Sequence, residues 1–354
     1  MAVNNANIFI PSTLCLCVIF KDKKKLDISY VPEKIPCREK EKKRLSLLLE
    51  SGRAIISGDV GTGKTLLAKH TGGDVYVNCY TNKSEHKVLE EILRQIRPTF
   101  STAGLASQRL WQEIKGEHLI ILDEIEGMFP DDLRHFAYTL SRQPEIRERI
   151  RYVAVTRSSF VLEQIINDAA TWSTFAEKAI VTLKPYTWEQ IMEILEYRAN
   201  ESLKAGSYDD ALPLIAEIAL NSAGHMRSAI DILRNSAIIA DRKGHDKILL
   251  EDVREANQEA WIEEIDGLSK EQLILLLAIA TSCKSKAYTT QEEILNNYAL
   301  KCEEYEMECN EKAAKKNLEI LINQGFVYKS ERGYAIIDYP AELLIEEVEN
   351  FLNK

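Results

Sequence analysis

Two short stretches of this chain carry residues whose types and spacing suit chemistry on a polyphosphate. Gly58-Asp59-Val60-Gly61-Thr62-Gly63-Lys64-Thr65 fits the pattern G-x-x-x-x-G-K-[ST], and Leu66 opens the segment that follows it. Glycines in such a loop let the backbone curl until successive N–H groups face phosphate oxygens. Lys64 is then placed to reach the outer phosphates and the Thr65 hydroxyl to bind Mg²⁺. The second stretch, His118-Leu119-Ile120-Ile121-Leu122-Asp123-Glu124, is an apolar run ending in two carboxylates. Asp123 is suited to hold the Mg²⁺ shell, and Glu124 to orient and deprotonate an attacking water. Two acids after a strand are common by themselves. Downstream of a phosphate loop they indicate binding of a nucleoside triphosphate with Mg²⁺, and the means to hydrolyse it.

Both motifs need strands that end at one edge of a sheet. From Gly52 to about Leu183 short apolar runs alternate with helical segments. The runs Ala54–Ser57, Val75–Asn78, Leu119–Leu122, Tyr152–Thr156 and Ala179–Thr182 read as strands, with amphipathic helices such as Glu85–Ile96 and Asp131–Leu140 between them. That rhythm predicts an α/β fold with a doubly wound parallel sheet and ligands at the strand carboxyl ends. The acid-bearing strand is expected beside the strand that feeds the loop. Pro185 breaks the pattern, and from Thr187 to about Ala260 the period is helical throughout, as in a small helical lid. Beyond Asp266-Gly267 come three helices, Glu271–Ala280, Thr290–Ala299 and Cys309–Asn323. A hairpin follows, with strands Phe326–Lys329 and Tyr334–Ile337 around the turn Ser330–Gly333. Three helices and a hairpin predict a winged helix, with Thr290 and Glu293 as a capping box on its second helix. The predicted domains are therefore 1–183 (with an N-terminal arm, 1–30), 184–265 and 266–354.

Composition narrows the class. The chain has 354 residues, 45% hydrophobic and 28% charged, which suits an ordinary globular protein of two or three domains. Seven cysteines form no C-x-x-C pair, so reduced thiols in a cytoplasmic setting are expected. The apolar stretch Ile8 to Phe20 is interrupted by Pro11 and is too short to span a bilayer, so no membrane association is expected. A net charge of −10 argues against a protein dominated by nucleic-acid binding, though it leaves room for a local basic face.

Over nearly its whole length from about Ile19, the sequence resembles the archaeal origin-recognition/cell-division-control replication initiators, a branch of the AAA+ ATPases. The resemblance is carried by Ile19-Phe20-Lys21 through Leu26, Tyr30 through Glu39, Lys184-Pro185-Tyr186, Ile194 through Ala199, and Gly224-His225-Met226-Arg227. It implies that the nucleotide is ATP or ADP, that Pro36 and Arg38 help to cup the adenine, and that Tyr186 and Arg198 line the nucleotide pocket. It implies that Arg227 approaches the γ-phosphate from the lid. Thr99 to Leu110 falls where that family carries a helical insertion. The partners implied are origin double-stranded DNA, a replicative helicase and paralogous initiator subunits, with a nucleoid-associated location. Two departures stand out. Arg157 follows the strand where the family's first sensor presents an asparagine, and Asp168-Ala169-Ala170-Thr171-Trp172-Ser173 lacks the usual interface arginine.

Three lysines at i, i+3 and i+4 (Lys312, Lys315, Lys316) lie on one face of the third C-terminal helix. With Lys329 and Arg332 of the hairpin they are the candidate DNA contacts. The last domain nevertheless has more acidic than basic residues. The competing expectation is a stand-alone regulatory P-loop ATPase whose winged domain binds protein partners or represses transcription. A purely structural adaptor does not need Lys64, Thr65, Asp123 and Glu124, and a clamp-loader subunit would carry an all-helical collar in place of the hairpin.

Overall fold

A computed structural model of the chain describes residues 19–222, 225–257, 265, 267–337 and 339–352. The N-terminal arm up to residue 18, Gly224 of the lid motif and the boundary residue Asp266 lie outside the described residues. The apolar runs form five strands: β1 (Arg53–Gly58), β2 (Val75–Asn78), β3 (His118–Asp123), β4 (Ile150–Thr156) and β5 (Ile180–Leu183). All pair in parallel, in the order β2-β3-β4-β1-β5. Their central residues are buried, which is why they read as continuous apolar runs and not as alternating ones.

The order corrects one expectation. β3 does not lie beside β1, because β4 is inserted between them. Two strand spacings, roughly 9.6 Å, therefore separate the acid strand from the loop strand. The gap is crossed by α2 (Lys64–Lys69), which leaves the loop and packs over β4 and β3.

Helices cover both faces. α1 (Glu39–Glu50) and α2 bury Leu45, Leu49, Leu67 and Ala68 against Ala54, Ile56, Ile121, Val153 and Val155. On the other face lie α3 (Glu85–Ile96), α4 (Ser107–Glu113), α5 (Pro130–Arg142), α6 (Pro144–Arg147), α7 (Ser159–Ile166) and α8 (Ala169–Phe175). They enclose Ile55, Val77, Ile120, Leu122 and Ala154. The expected helix over Thr99–Leu110 is only partly present: residues 99–106 are irregular, and α4 buries Leu110 and Trp111 in the sheet's core.

The chain divides into two compact units. The sheet belongs to the one built from residues 28–197 and 216–231; the other takes residues up to 27, then 198–215 and 232 onward. The helical segment α9 (Trp188–Ser202), α10 (Leu212–Asn221), α11 (Met226–Lys243) and α12 (Leu250–Ala256) supplies residues to both.

In the second unit come α13 (Lys270–Cys283), α14 (Gln291–Glu304), α15 (Glu311–Asn323), the hairpin β6 (Tyr328–Ser330) and β7 (Gly333–Ala335), and α16 (Ala341–Leu352). α13 is buried continuously from Leu273 to Ala280 because α14, α15 and α16 pack around it. The Thr290–Glu293 capping box forms as expected, at 3.2 and 3.1 Å. Thr289 exchanges two backbone hydrogen bonds with Tyr334, of 2.8 and 2.9 Å, adding a third short stretch to the hairpin. This is the element order that the winged-helix expectation requires.

A buried arginine ties α12 to these helices. Arg254 is fully enclosed; its Nε donates to the Ile336 carbonyl (2.9 Å) and its Nη2 to the carbonyls of Cys283 (2.9 Å) and Lys286 (3.1 Å). Its Nη1 pairs with Glu251 at 2.6 Å. The guanidinium thus satisfies carbonyls that the end of α13 leaves open. Arg254→Met keeps the apolar stem but strands those carbonyls and the Glu251 carboxylate. We expect a loss of about 3 kcal/mol, the usual scale for a broken buried pair. Urea unfolding followed by far-UV circular dichroism measures it, and an unchanged midpoint would show the guanidinium to be dispensable.

Candidate nucleotide-binding site

The loop after β1 is closed by its own side chains. The Thr62 hydroxyl is buried and donates to the Asp59 carbonyl at 2.8 Å. Lys64 folds back so that its Nζ donates to the carbonyls of Gly58 (2.6 Å) and Asp59 (2.7 Å). Burial pushes its ammonium below the ordinary lysine value, with Glu126 and Asp123 pulling it back up. A cation held over a ring of backbone is the arrangement that an incoming phosphate can use. Asp59 and Val60 stand exposed at the tip of the loop, and Gly61 and Leu66 are half-buried.

Two glycines are needed here for space. A Cβ on Gly58 would meet the Leu183 carbonyl oxygen at 2.6 Å. Gly63 sits at φ 86°, in the left-handed region, and a Cβ there would lie 2.8 Å from the Tyr186 hydroxyl. Tyr186 therefore backs the loop directly. Arg38 stacks on the Tyr186 ring, 4.0 Å from its centroid, and its Nη2 donates to the carbonyls of Thr62 (3.0 Å) and Lys184 (2.7 Å). Pro36 is half-buried in the turn just before it. Arg38 is itself buried, so its charge supports the frame of the loop and is not a free cation facing solvent.

Asp123 ends β3 and meets the residue after the loop lysine, and Glu124 follows it. The Thr65 hydroxyl lies 3.0 and 3.2 Å from the two Asp123 oxygens. Mg²⁺ takes oxygen ligands at about 2.0–2.1 Å in an octahedron, whose edges are then roughly 2.9 Å. The separation between Thr65 and Asp123 fits one such edge. Among the described residues no group of three or more His, Cys, Asp or Glu could hold a metal. A hydroxyl, a carboxylate and the oxygens of the nucleotide and water would have to form the shell. Glu124 adopts φ 52°, uncommon for a residue with a side chain. Its carboxylate accepts from the Asn78 amide at 3.1 Å and lies 3.9 Å from the Arg157 guanidinium. The backbone N–H of Arg157 is held by Glu126 at 2.8 Å.

Arg227 is exposed on the first turn of α11. Arg198 is buried, and its guanidinium donates to the carbonyls of Lys25 and Asp27, bracing the turn around Leu26. Lys312, Lys315 and Lys316 are exposed opposite the buried stripe Ala314, Leu318 and Leu321 of α15; Lys329 and Arg332 are exposed on the hairpin. Glu319 shares the lysine face, and Glu311 lies 3.7 Å from Lys315. Sequence reasoning missed Tyr76, Asn78 and Glu126. The available signal was weak: Tyr76 and Asn78 alternate with the buried Val75 and Val77 along β2, so they share one face of an edge strand.

Comparison with known proteins agrees with this geometry. Residues 54–169 match the ATPase family associated with various cellular activities (AAA), and residues 192–258 match the Cdc6 AAA+ ATPase-type lid domain. The chain is 28% identical over 329 residues to ORC1-type DNA replication protein 1 of Archaeoglobus fulgidus, covering 84% of this chain and 80% of that protein. The crystal structure of Cdc6p from Pyrobaculum aerophilum superposes with a TM-score of 0.81 at 26% identity, over 95% of this chain and 99% of that one. Over most of its length this chain is similar to the origin-recognition/cell-division-control AAA+ ATPases. A further relative of that family, the Aeropyrum pernix ORC1 protein solved in complex with DNA, matches with a TM-score of 0.58 at 25% identity, over 95% and 97% of the two chains. ORC1-type DNA replication protein 2 of Saccharolobus solfataricus is 27% identical over 319 residues, covering 76% of each chain. The loop, the acid pair and the lid segment all lie within the matched regions. No helix among the described residues is long and apolar enough to cross a membrane.

Proposed function

We propose that this chain is an ATP-dependent DNA-replication initiator that binds origin duplex DNA and helps to load the replicative helicase. ATP binding and slow hydrolysis act as its switch. The observation that carries this reading is the contact of Thr65, next to the loop's Lys64, with Asp123, next to Glu124 at the end of β3, in a chain whose relatives are ORC1-type replication proteins. The loop residues 58–66 take the phosphates, Thr65 and Asp123 the Mg²⁺, and Glu124 the attacking water. Pro36, Arg38, Tyr186 and Arg198 shape the nucleotide site, and Arg227 supplies the lid cation. The functional division is an ATPase body over 1–183, a lid over 184–265 and a winged DNA-binding domain over 266–354. The protein would act in the cytoplasm at the nucleoid, alongside paralogous initiator subunits.

A second reading has a specific observation behind it. Residues 266–354 contain 16 acidic and 10 basic residues, a poor balance for phosphate contact. On that reading the chain is a regulatory ATPase whose C-terminal domain binds protein or represses transcription. Titration of the full chain onto duplex DNA, with and without ATP, across a salt series separates the two. On the initiator reading, neutralising Lys312, Lys315, Lys316, Lys329 and Arg332 weakens binding. It also flattens the log–log salt slope by about 0.9 for each phosphate that the variant no longer neutralises. An unchanged slope would remove this face from the interface, and no binding at low salt would favour the second reading.

A further inference from the structure

Asp123, the proposed Mg²⁺ ligand, is held from the neighbouring strand β2 as well as by Thr65. The Tyr76 hydroxyl donates to Asp123 Oδ2 at 2.7 Å, shorter than either contact from Thr65. Tyr76 is itself fixed at three places. It lies on β2, the edge strand, whose outer backbone groups have no neighbouring strand among the described residues. Gln95 of α3 takes over that role: its Oε1 accepts from the Tyr76 N–H at 3.0 Å, and its Nε2 donates to the Tyr76 carbonyl at 2.7 Å. Lys69, in the last turn of α2, places its ammonium 4.6 Å from the centroid of the Tyr76 ring. Backbone, ring and hydroxyl are thus each tied to a different element of the same unit.

We propose that Tyr76 is a positioning residue for Mg²⁺, fixing the Asp123 carboxylate in the orientation that a metal-bound nucleotide requires. This rests on the nucleotide–Mg²⁺ reading above. Without metal, the Thr65 hydroxyl donates to Asp123. Beside that hydroxyl, which a cation would engage through a lone pair, the carboxylate has two donors of its own: Tyr76 and the Glu124 N–H, which donates to Oδ1 at 3.1 Å. A single backbone donor fixes one oxygen and leaves the group free to swing about it; the phenol fixes the other. Hydrogen-bond partners of this kind orient metal-ligating carboxylates, and their removal typically costs about 10–100-fold in metal affinity.

Tyr76→Phe removes only the hydroxyl and keeps the ring over Lys69 and the backbone bonds to Gln95. The test is calorimetric titration of the full chain with ATP, in EDTA and at a series of free Mg²⁺ concentrations. The expected result is an EDTA affinity within about twofold of the parent, with the half-maximal Mg²⁺ concentration raised about tenfold or more. An unmoved Mg²⁺ midpoint overturns the positioning role. An equal loss of affinity with and without Mg²⁺ also overturns it, because the hydroxyl would then be serving the fold alone. If the parent protein binds ATP neither in EDTA nor in Mg²⁺, the nucleotide reading fails and this inference fails with it.

Discussion

Lys64→Ala is expected to weaken ATP binding by on the order of a hundredfold. The lysine is the one cation inside the phosphate loop, and its ammonium is held over the ring by the carbonyls of Gly58 and Asp59. A hydrogen bond to a charged group contributes about 1.5–3 kcal/mol, and each 1.4 kcal/mol is about tenfold in affinity. The loop itself should survive the change. Thr62 still closes on Asp59, and the Arg38–Tyr186 stack still supports the Thr62 and Lys184 carbonyls. The loss should therefore appear in affinity and not in the unfolding midpoint. Calorimetric titration of parent and variant in the same Mg²⁺ buffer measures it. An unchanged dissociation constant would remove the loop from the nucleotide site.

The parts of this site that were legible in the sequence are those with a local signature. The loop is a contiguous motif. The strands reveal themselves by unbroken apolar runs, the helix Glu85–Ile96 by its periodicity, and α14 by its Thr290–Glu293 box. What was not legible depends on partners far away in the chain. The insertion of β4 between β1 and β3 follows from topology, which apolar runs do not encode. The roles of Tyr76 and Asn78 depend on the parallel register that sets Asn78 opposite Asp123.

Backbone carbonyls are a second blind spot, because every residue has one and none marks the sequence. Arg38, Arg198 and Arg254 all spend their guanidinium groups on carbonyls. The resemblance implied that Arg38 helps to cup the adenine and that Arg198 lines the nucleotide pocket; both are buried, with guanidinium donors on backbone carbonyls at the ends and turns of the fold. α16 was missed for another reason. Its buried residues Ala341, Leu344 and Val348 are few and pack on α13, and the helix comes after the hairpin that the winged-helix pattern ended on.

Turnover is expected to be slow, and the rate per protomer nearly independent of protein concentration. Hydrolysis in related phosphoryl-transfer enzymes gains roughly 10³–10⁵ in rate when an arginine reaches the transferring phosphate from a neighbour. The stretch in which this family presents such a residue opens α8 here. Asp168 caps that helix by accepting from the Thr171 N–H at 2.8 Å, and the exposed positions that follow are Ala169 and Ala170. A second copy of this chain would therefore bring no cation from that surface. What remains is the protomer's own machinery, in which Glu124 is the base. Its carboxylate is held by Asn78 on one oxygen and faces Arg157 across 3.9 Å on the other. Glu124→Gln should preserve ATP affinity and lower turnover by about 10²–10⁴, the range expected for loss of a general base. Phosphate release measured against protein concentration tests both statements. A per-protomer rate that climbs steeply with concentration would reveal activation by a neighbouring copy. Residual turnover near the parent's in the glutamine variant would assign the base elsewhere.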